Sequence, residues 1–107
     1  MFVRMVFSRV KPNQTSHFNE TFERKVLPLL RKQKGFREAI TLTTPGSNEV
    51  VGISFWDRKE DAESYNSSVY PEVVKELTPL TEGTPRVQTH QVLHSTIQNI
   101  TAAKTAA

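Results

Sequence analysis

The sequence predicts an α+β domain of the ferredoxin-like, split βαβ kind, with a four-stranded antiparallel sheet. Three observations point there. Four segments carry apolar residues at the two-residue period of strands, two stretches repeat them at helical spacing, and turn-forming residues separate these in the order β, α, β, β, α, β, with one added short helix. At 107 residues the chain suits one domain. Residues 1–95 are assigned to it and residues 96–107 to a small, polar C-terminal tail, expected to be mobile or draped on a neighbour.

The first strand spans residues 2 to 10 and sets Val3, Met5 and Phe7 on one face against Phe2, Arg4, Val6, Ser8 and Val10 on the other. After the turn at Pro12 and Asn13, Ser16 is a candidate N-cap, and Phe18, Phe22, Val26, Leu29 and Leu30 recur at helical spacing. Pro28 lies within that helix, lacking a donor and crowding the Arg24 carbonyl, so a kink or break is expected near Lys25, and Gly35 ends the helix. The second strand is Phe36 to Thr44, a turn follows at Pro45, Gly46, Ser47 and Asn48, and the third strand is Glu49 to Trp56. Asp57 with Glu60 resembles a capping box for a helix that turns Ala62 and Tyr65 inward and loosens at Asn66, Ser67 and Ser68. Pro71 opens a short helix bearing Val73, Val74 and Leu77, Pro79 ends it, and Thr84 to Leu93 form the fourth strand.

Strands one and three are apolar on both faces, whereas a sheet with helices on one side should present a polar second face to water. A second copy of the chain, related by a two-fold axis, is the expected cover, and a homodimer is therefore predicted. A monomer with an exposed apolar sheet is the competing account, disfavoured because such patches are rare on monomers.

Composition removes several functions. Without cysteine there are no disulfides, thiolate metal sites or cysteine nucleophiles. The start MFVRMVFSRV is interrupted by Arg4 and Arg9 and reads as a strand rather than a leader, so a cytoplasmic protein is expected, and no apolar run approaches the ~20 residues of a membrane span. Fourteen Lys and Arg stand against 11 Asp and Glu, mostly interspersed. The one cluster, Arg31, Lys32, Lys34 and Arg37, suits a helix C-terminus better than nucleic acid, and the strands lack the basic-aromatic signature of RNA-recognition domains that share this topology. No nucleic-acid or membrane partner is expected.

Two segments resemble the antibiotic biosynthesis monooxygenase family: the helix end entering a Gly-Phe strand, Val26 to Arg37, and the strand ending in Trp before a Glu-Asp-Ala helix, Ser54 to Tyr65. The likeness covers roughly residues 2 to 93. It implies a dimeric α/β barrel with a pocket in each subunit between sheet and helices, and in some members oxidation of aromatic polyketides by O₂ without metal or organic cofactor. The haem-cleaving branch of that family uses an Asn on strand one, a Trp in the second helix and a His shortly after it. Here strand one has no Asn, Tyr65 takes the Trp position and Val74-Lys75 stands where the His should fall, which argues against haem chemistry.

Cofactor-free oxygenation needs a phenol-type substrate able to give an electron to O₂, an apolar pocket, donors or a base at the phenolate, and exclusion of water. Trp56, Tyr65 and His90 are the candidate catalytic residues, with Arg4, Phe7, Phe22 and Tyr70 binding a small aromatic substrate. Each has a structural alternative. Trp56 and Tyr65 can be core packing, Tyr70 a loop plug, Arg4 half of an interface salt bridge, and His90 an edge or interface histidine. His90 and His94 lie ~13 Å apart along a strand, too far to share a metal, and no metal or cofactor is expected. The expected function is a cofactor-independent monooxygenase. The alternative is a non-catalytic binding or dimerisation module of the same fold.

Overall fold

A computed structural model describes residues 1–97 of the chain. Most of the tail assigned to 96–107 therefore falls outside the described residues. Strands β1 (Phe2–Val10), β2 (Phe36–Thr43), β3 (Glu49–Trp56) and β4 (Thr81–Gln91) form one antiparallel sheet in the order β2-β3-β1-β4. The helices are α1 (Thr15–Thr21), α2 (Leu27–Arg31), α3 (Lys59–Ser68) and α4 (Tyr70–Leu77). This is the expected split βαβ arrangement, with α1 and α2 crossing between β1 and β2, and α3 and α4 between β3 and β4.

The break foreseen around Pro28 takes a specific form. Between α1 and α2, residues Phe22–Val26 widen into a π-helical segment, which relieves the i→i−4 ladder where proline cannot donate and its ring would press on the preceding turn. Gly35 then turns at φ 81°, a conformation that other residues adopt at a cost, and an added Cβ there would overlap the Asp61 carboxylate. Gly46, at φ 79°, follows Pro45 in the tight turn between β2 and β3, closed by the Ser47 N–H donating to the Thr44 carbonyl at 3.0 Å.

Three local expectations are corrected. Asp57 caps nothing; its carboxylate takes the Arg37 guanidinium, and Arg58 occupies the N-cap of α3 with no side-chain cap. Helix α3 does not loosen at Asn66 but runs through Ser68, because the Ser67 and Ser68 hydroxyls donate back to the Ser64 carbonyl, at 3.2 and 2.6 Å, rather than competing for the helix's donors. Strand β4 begins at Thr81, three residues early, since a register shift lets it pair with both ends of β1: Thr81 faces Val10 and Arg86 faces Phe7, with Gly83, Thr84 and Pro85 bulging between.

Alternation decides what each face of the sheet carries. Arg4, Val10, Val50, Ser54 and Trp56 turn toward the helices and are buried. Two adjoining clusters make the core there, one of Val26, Leu30, Trp56, Ala62, Tyr65 and Val73, the other of Val10, Phe18, Val50 and Leu80. Val3, Met5, Phe7, Val51, Ile53 and Phe55 point to the opposite face, where Ile40 and Leu42 of β2 are also exposed. No helix among the described residues is long and apolar enough to cross a membrane.

Candidate active site

Between the sheet and the helices lies a cavity of about 280 Å³. Strand β1 supplies Arg4, Val6 and Ser8, β3 supplies Val50, Gly52 and Ser54, and α4 adds Tyr70, Val73 and Leu77. Phe22 and Val26, the two ends of the π-helical segment, close one side, and the bulged Gly83, Thr84 and Pro85 of β4 form part of another. The walls are apolar with scattered hydroxyls. Arg4 is the one charged side chain among the described lining residues.

That charge is deeply held. Arg4 is 3% exposed, and its guanidinium donates to the Asn66 amide oxygen at 2.8 Å. It lies 4.0 Å from the ring centre of Tyr70 and 5.2 Å from that of Tyr65, within the range of cation–π attraction. No carboxylate among the described residues pairs with it. A buried cation is usually paired, because leaving water costs far more than a neutral amide and two ring faces return. The remaining guanidinium donors therefore suit an anion within the cavity.

Tyr65 stands beside this cation on the inward stripe of α3 and is 3% exposed. Burial pushes its phenol up to about 12, against a pull downward from Arg4 and a further push from Tyr70. At neutral pH it is a hydrogen-bond donor and not a base. Its ring sits 5.2 Å from that of Trp56 and 6.1 Å from that of Tyr70, so the two aromatics predicted to approach one another do so. Trp56 itself is 0% exposed, packs edge-on against Phe36, and donates its indole N–H to the Ser54 hydroxyl at 2.9 Å. It backs Tyr65 from behind and does not line the cavity.

Of the seven expected residues, Arg4, Tyr65, Phe22 and Tyr70 meet at the cavity, and Trp56 supports it. Phe7 and His90 are separated from it by the sheet. Phe7 is odd-numbered on β1 and so faces away from Arg4, covered in part by the Arg86 guanidinium at 4.6 Å. His90 pairs with Val3 on that same opposite face and is exposed. Sequence reasoning passed over Asn66, which fixes the Arg4 head group. Its one signal was its place four residues after inward-facing Ala62, on the edge of the buried stripe of α3. Among the described residues no group of His, Asp and Glu is disposed to hold a metal ion.

Comparison with known proteins agrees with this architecture. The monooxygenase ActVA-Orf6 of Streptomyces coelicolor, solved with nanaomycin D, is similar over 90% of this chain and 90% of its own, at 19% identity and a TM-score of 0.75. SnoaB of Streptomyces nogalater, a cofactor-independent oxygenase, matches over 90% of this chain and 96% of its own, at 15% identity and a TM-score of 0.72. A Nitrosomonas europaea protein of unknown function matches as well, over 90% and 92%, at 14% identity and a TM-score of 0.73. At such identities the likeness establishes a shared fold. No curated protein sequence matches the chain. The family model for the antibiotic biosynthesis monooxygenase domain matches residues 1–85, and with that extent the chain belongs to the antibiotic biosynthesis monooxygenase family.

Proposed function

We propose that this protein is a cofactor-independent monooxygenase that oxidises a small aromatic substrate of the phenol or quinol type. The observation that carries the reading is the cavity: about 280 Å³ enclosed by apolar walls that bear, among the described residues, one buried cation flanked by two tyrosines. A dry space near 150 Å³ already admits a benzene ring with room to spare, so this one suits a ligand of about one to three fused rings. In such chemistry the substrate supplies the electrons. In an anthrone, one atom of O₂ becomes the new carbonyl oxygen while the other leaves as water with the two hydrogens of the CH₂ group, so no external reductant is needed. The chain's contribution is to hold the ring, stabilise its oxygen as an anion beside Arg4, donate from Tyr65, and keep water out.

A second reading has its own support. No base lines the cavity among the described residues: Tyr65 stays protonated, and no carboxylate or imidazole is on the wall. A binding module would need none. Oxygen uptake with a panel of anthrones and hydroquinones separates the two. The enzyme reading expects uptake matched by product carrying one atom from isotopically labelled O₂, and reduced by Tyr65→Phe. Saturable ligand-induced thermal shifts with no uptake on any substrate would replace it with the binding reading. The same proposal has a second copy of the chain covering the open face, where Met5, Ile53 and Ile40 form one apolar row across three strands.

A further inference from the structure

We infer that Gly52 sets the size limit of the cavity: carrying no side chain at the middle of the floor, it admits a flat ring system lying face-down on the β3 backbone, where any side chain would restrict the space to smaller molecules. The inference takes the cavity as the binding site, as in the reading above, and adds which residue decides what fits. Gly52 lies at the centre of β3, an interior strand, paired with Val6 of β1 on one side and Thr41 of β2 on the other. Its neighbours on the helix-facing side of β3, Val50 and Ser54, are buried, and all of these residues line the cavity.

Glycine in mid-strand weakens a sheet, because it loses more chain entropy on folding than other residues and offers no side chain to pack. Three features can require it, and each is missing at Gly52. Its backbone is not left-handed, unlike that of Gly35, Gly46 and Gly83. It is not at a bulge, since the register shifts of the sheet lie at Phe7–Arg9 against β4 and at Phe36–Glu38 against β3. No neighbouring element presses on it, for an added Cβ would meet nothing within 4 Å. What remains is the space itself. A ring lying flat on the bare peptide plane sits about 3.5 Å from it, whereas a Cβ about 1.5 Å above the strand would lift the ring by more than about 1 Å, toward Phe22, Val26 and Val73 on the helical wall. The same side chain would add strand propensity and fill empty space, so the change that narrows the cavity should also strengthen the unliganded fold.

The test uses benzamide and 2-naphthamide, one ring and two, which are uncharged and do not reduce O₂, so that its outcome is independent of ion pairing and of turnover. Calorimetry should find saturable binding of both to the wild type. Gly52→Val should weaken 2-naphthamide by roughly ten- to hundred-fold and benzamide by less than about threefold. It should also raise the thermal midpoint by roughly 2 to 8 °C. Gly52→Ala should move the midpoint and the 2-naphthamide affinity in the same directions by smaller amounts. No saturable binding of 2-naphthamide to the wild type overturns the inference, as does Gly52→Val that binds it undiminished or loses both amides equally. A midpoint of Gly52→Ala below that of the wild type shows that the space is not free and overturns it as well. Should Gly52→Val fail to fold, unchanged 2-naphthamide affinity in Gly52→Ala is the overturning result. Size discrimination that holds while no substrate consumes oxygen removes the oxygenase reading alone, and oxygen uptake without the discrimination removes this inference alone.

Discussion

Replacing Tyr65 by Phe tests whether its phenol is held neutral in the buried wall. The folded chain keeps that proton up to about pH 12, whereas the unfolded chain releases it near the ordinary tyrosine value of 10.0. Between those values the folded state binds the proton and the unfolded state does not, so stability falls as pH rises through the window and is unaffected below it. Two pH units at about 1.4 kcal/mol each give a loss of roughly 2 to 3 kcal/mol, complete near the upper end. The Phe variant lacks this loss. At neutral pH the two proteins should differ by less than about 1 kcal/mol, since no protein group among the described residues bonds the Tyr65 hydroxyl. Urea denaturation followed by circular dichroism, at neutral pH and at several values from 10 to 12, provides the comparison. Lysine and arginine titrations affect both proteins alike and cancel in the difference. Parallel stability curves for the two proteins across that window would refute the reasoning, and so would tyrosinate absorbance showing both of the chain's two tyrosines ionising near pH 10.

Gly35→Ala should cost about 2 to 4 kcal/mol, adding contact with the Asp61 carboxylate to the left-handed backbone, while Gly46→Ala, at φ 79° with nothing within 4 Å of an added Cβ, should cost only about 1 kcal/mol. Equal urea midpoints for the two variants would remove the Asp61 contact from the account. Met5→Asp, opposite Ile53 and Gln88 in the middle of the open face, should convert a dimer to monomers by light scattering. A monomeric wild type at working concentration would refute the covered-face proposal.

Legibility from sequence followed the strength of the local signals. Strand β3 was readable to the residue because Gly46 closes the turn before it and a polar Asp57 follows Trp56. The approach of Trp56 and Tyr65 was readable too, since a strand end and the inward stripe of the next helix must meet. Strand β4 was not, because its pairing from Thr81 depends on a bulge that only β1 reveals. In the site, alternation along β1 already placed Arg4 and Phe7 on opposite faces, so one of them had to lie outside any single cavity; nothing local said which face the helices cover. Asn66 was hidden for a related reason: its partner Arg4 lies 62 residues away, and a short polar residue in Asn66-Ser67-Ser68 carries no mark of a long-range bond.

The irregular parts of the fold gather where the cavity is. Regular geometry packs Trp56, Ala62, Val10 and Leu80 into closed core, with side chains interlocking at the density of a solid. A void of about 280 Å³ cannot form in such packing unless neighbouring elements are held apart. Two departures do that. The π-helical turn ahead of Pro28 sets Phe22 and Val26 at one wall, and the bulge of Gly83, Thr84 and Pro85 interrupts the β1–β4 ladder at another. Both are encoded by residues that cannot continue a regular ladder: prolines at 28 and 85 lack the donor, and Gly83 turns at φ 69°. Such breaks cost local stability and recur at functional sites, which supports the proposal that the space they hold open, and not the aromatic core beside it, is the binding site.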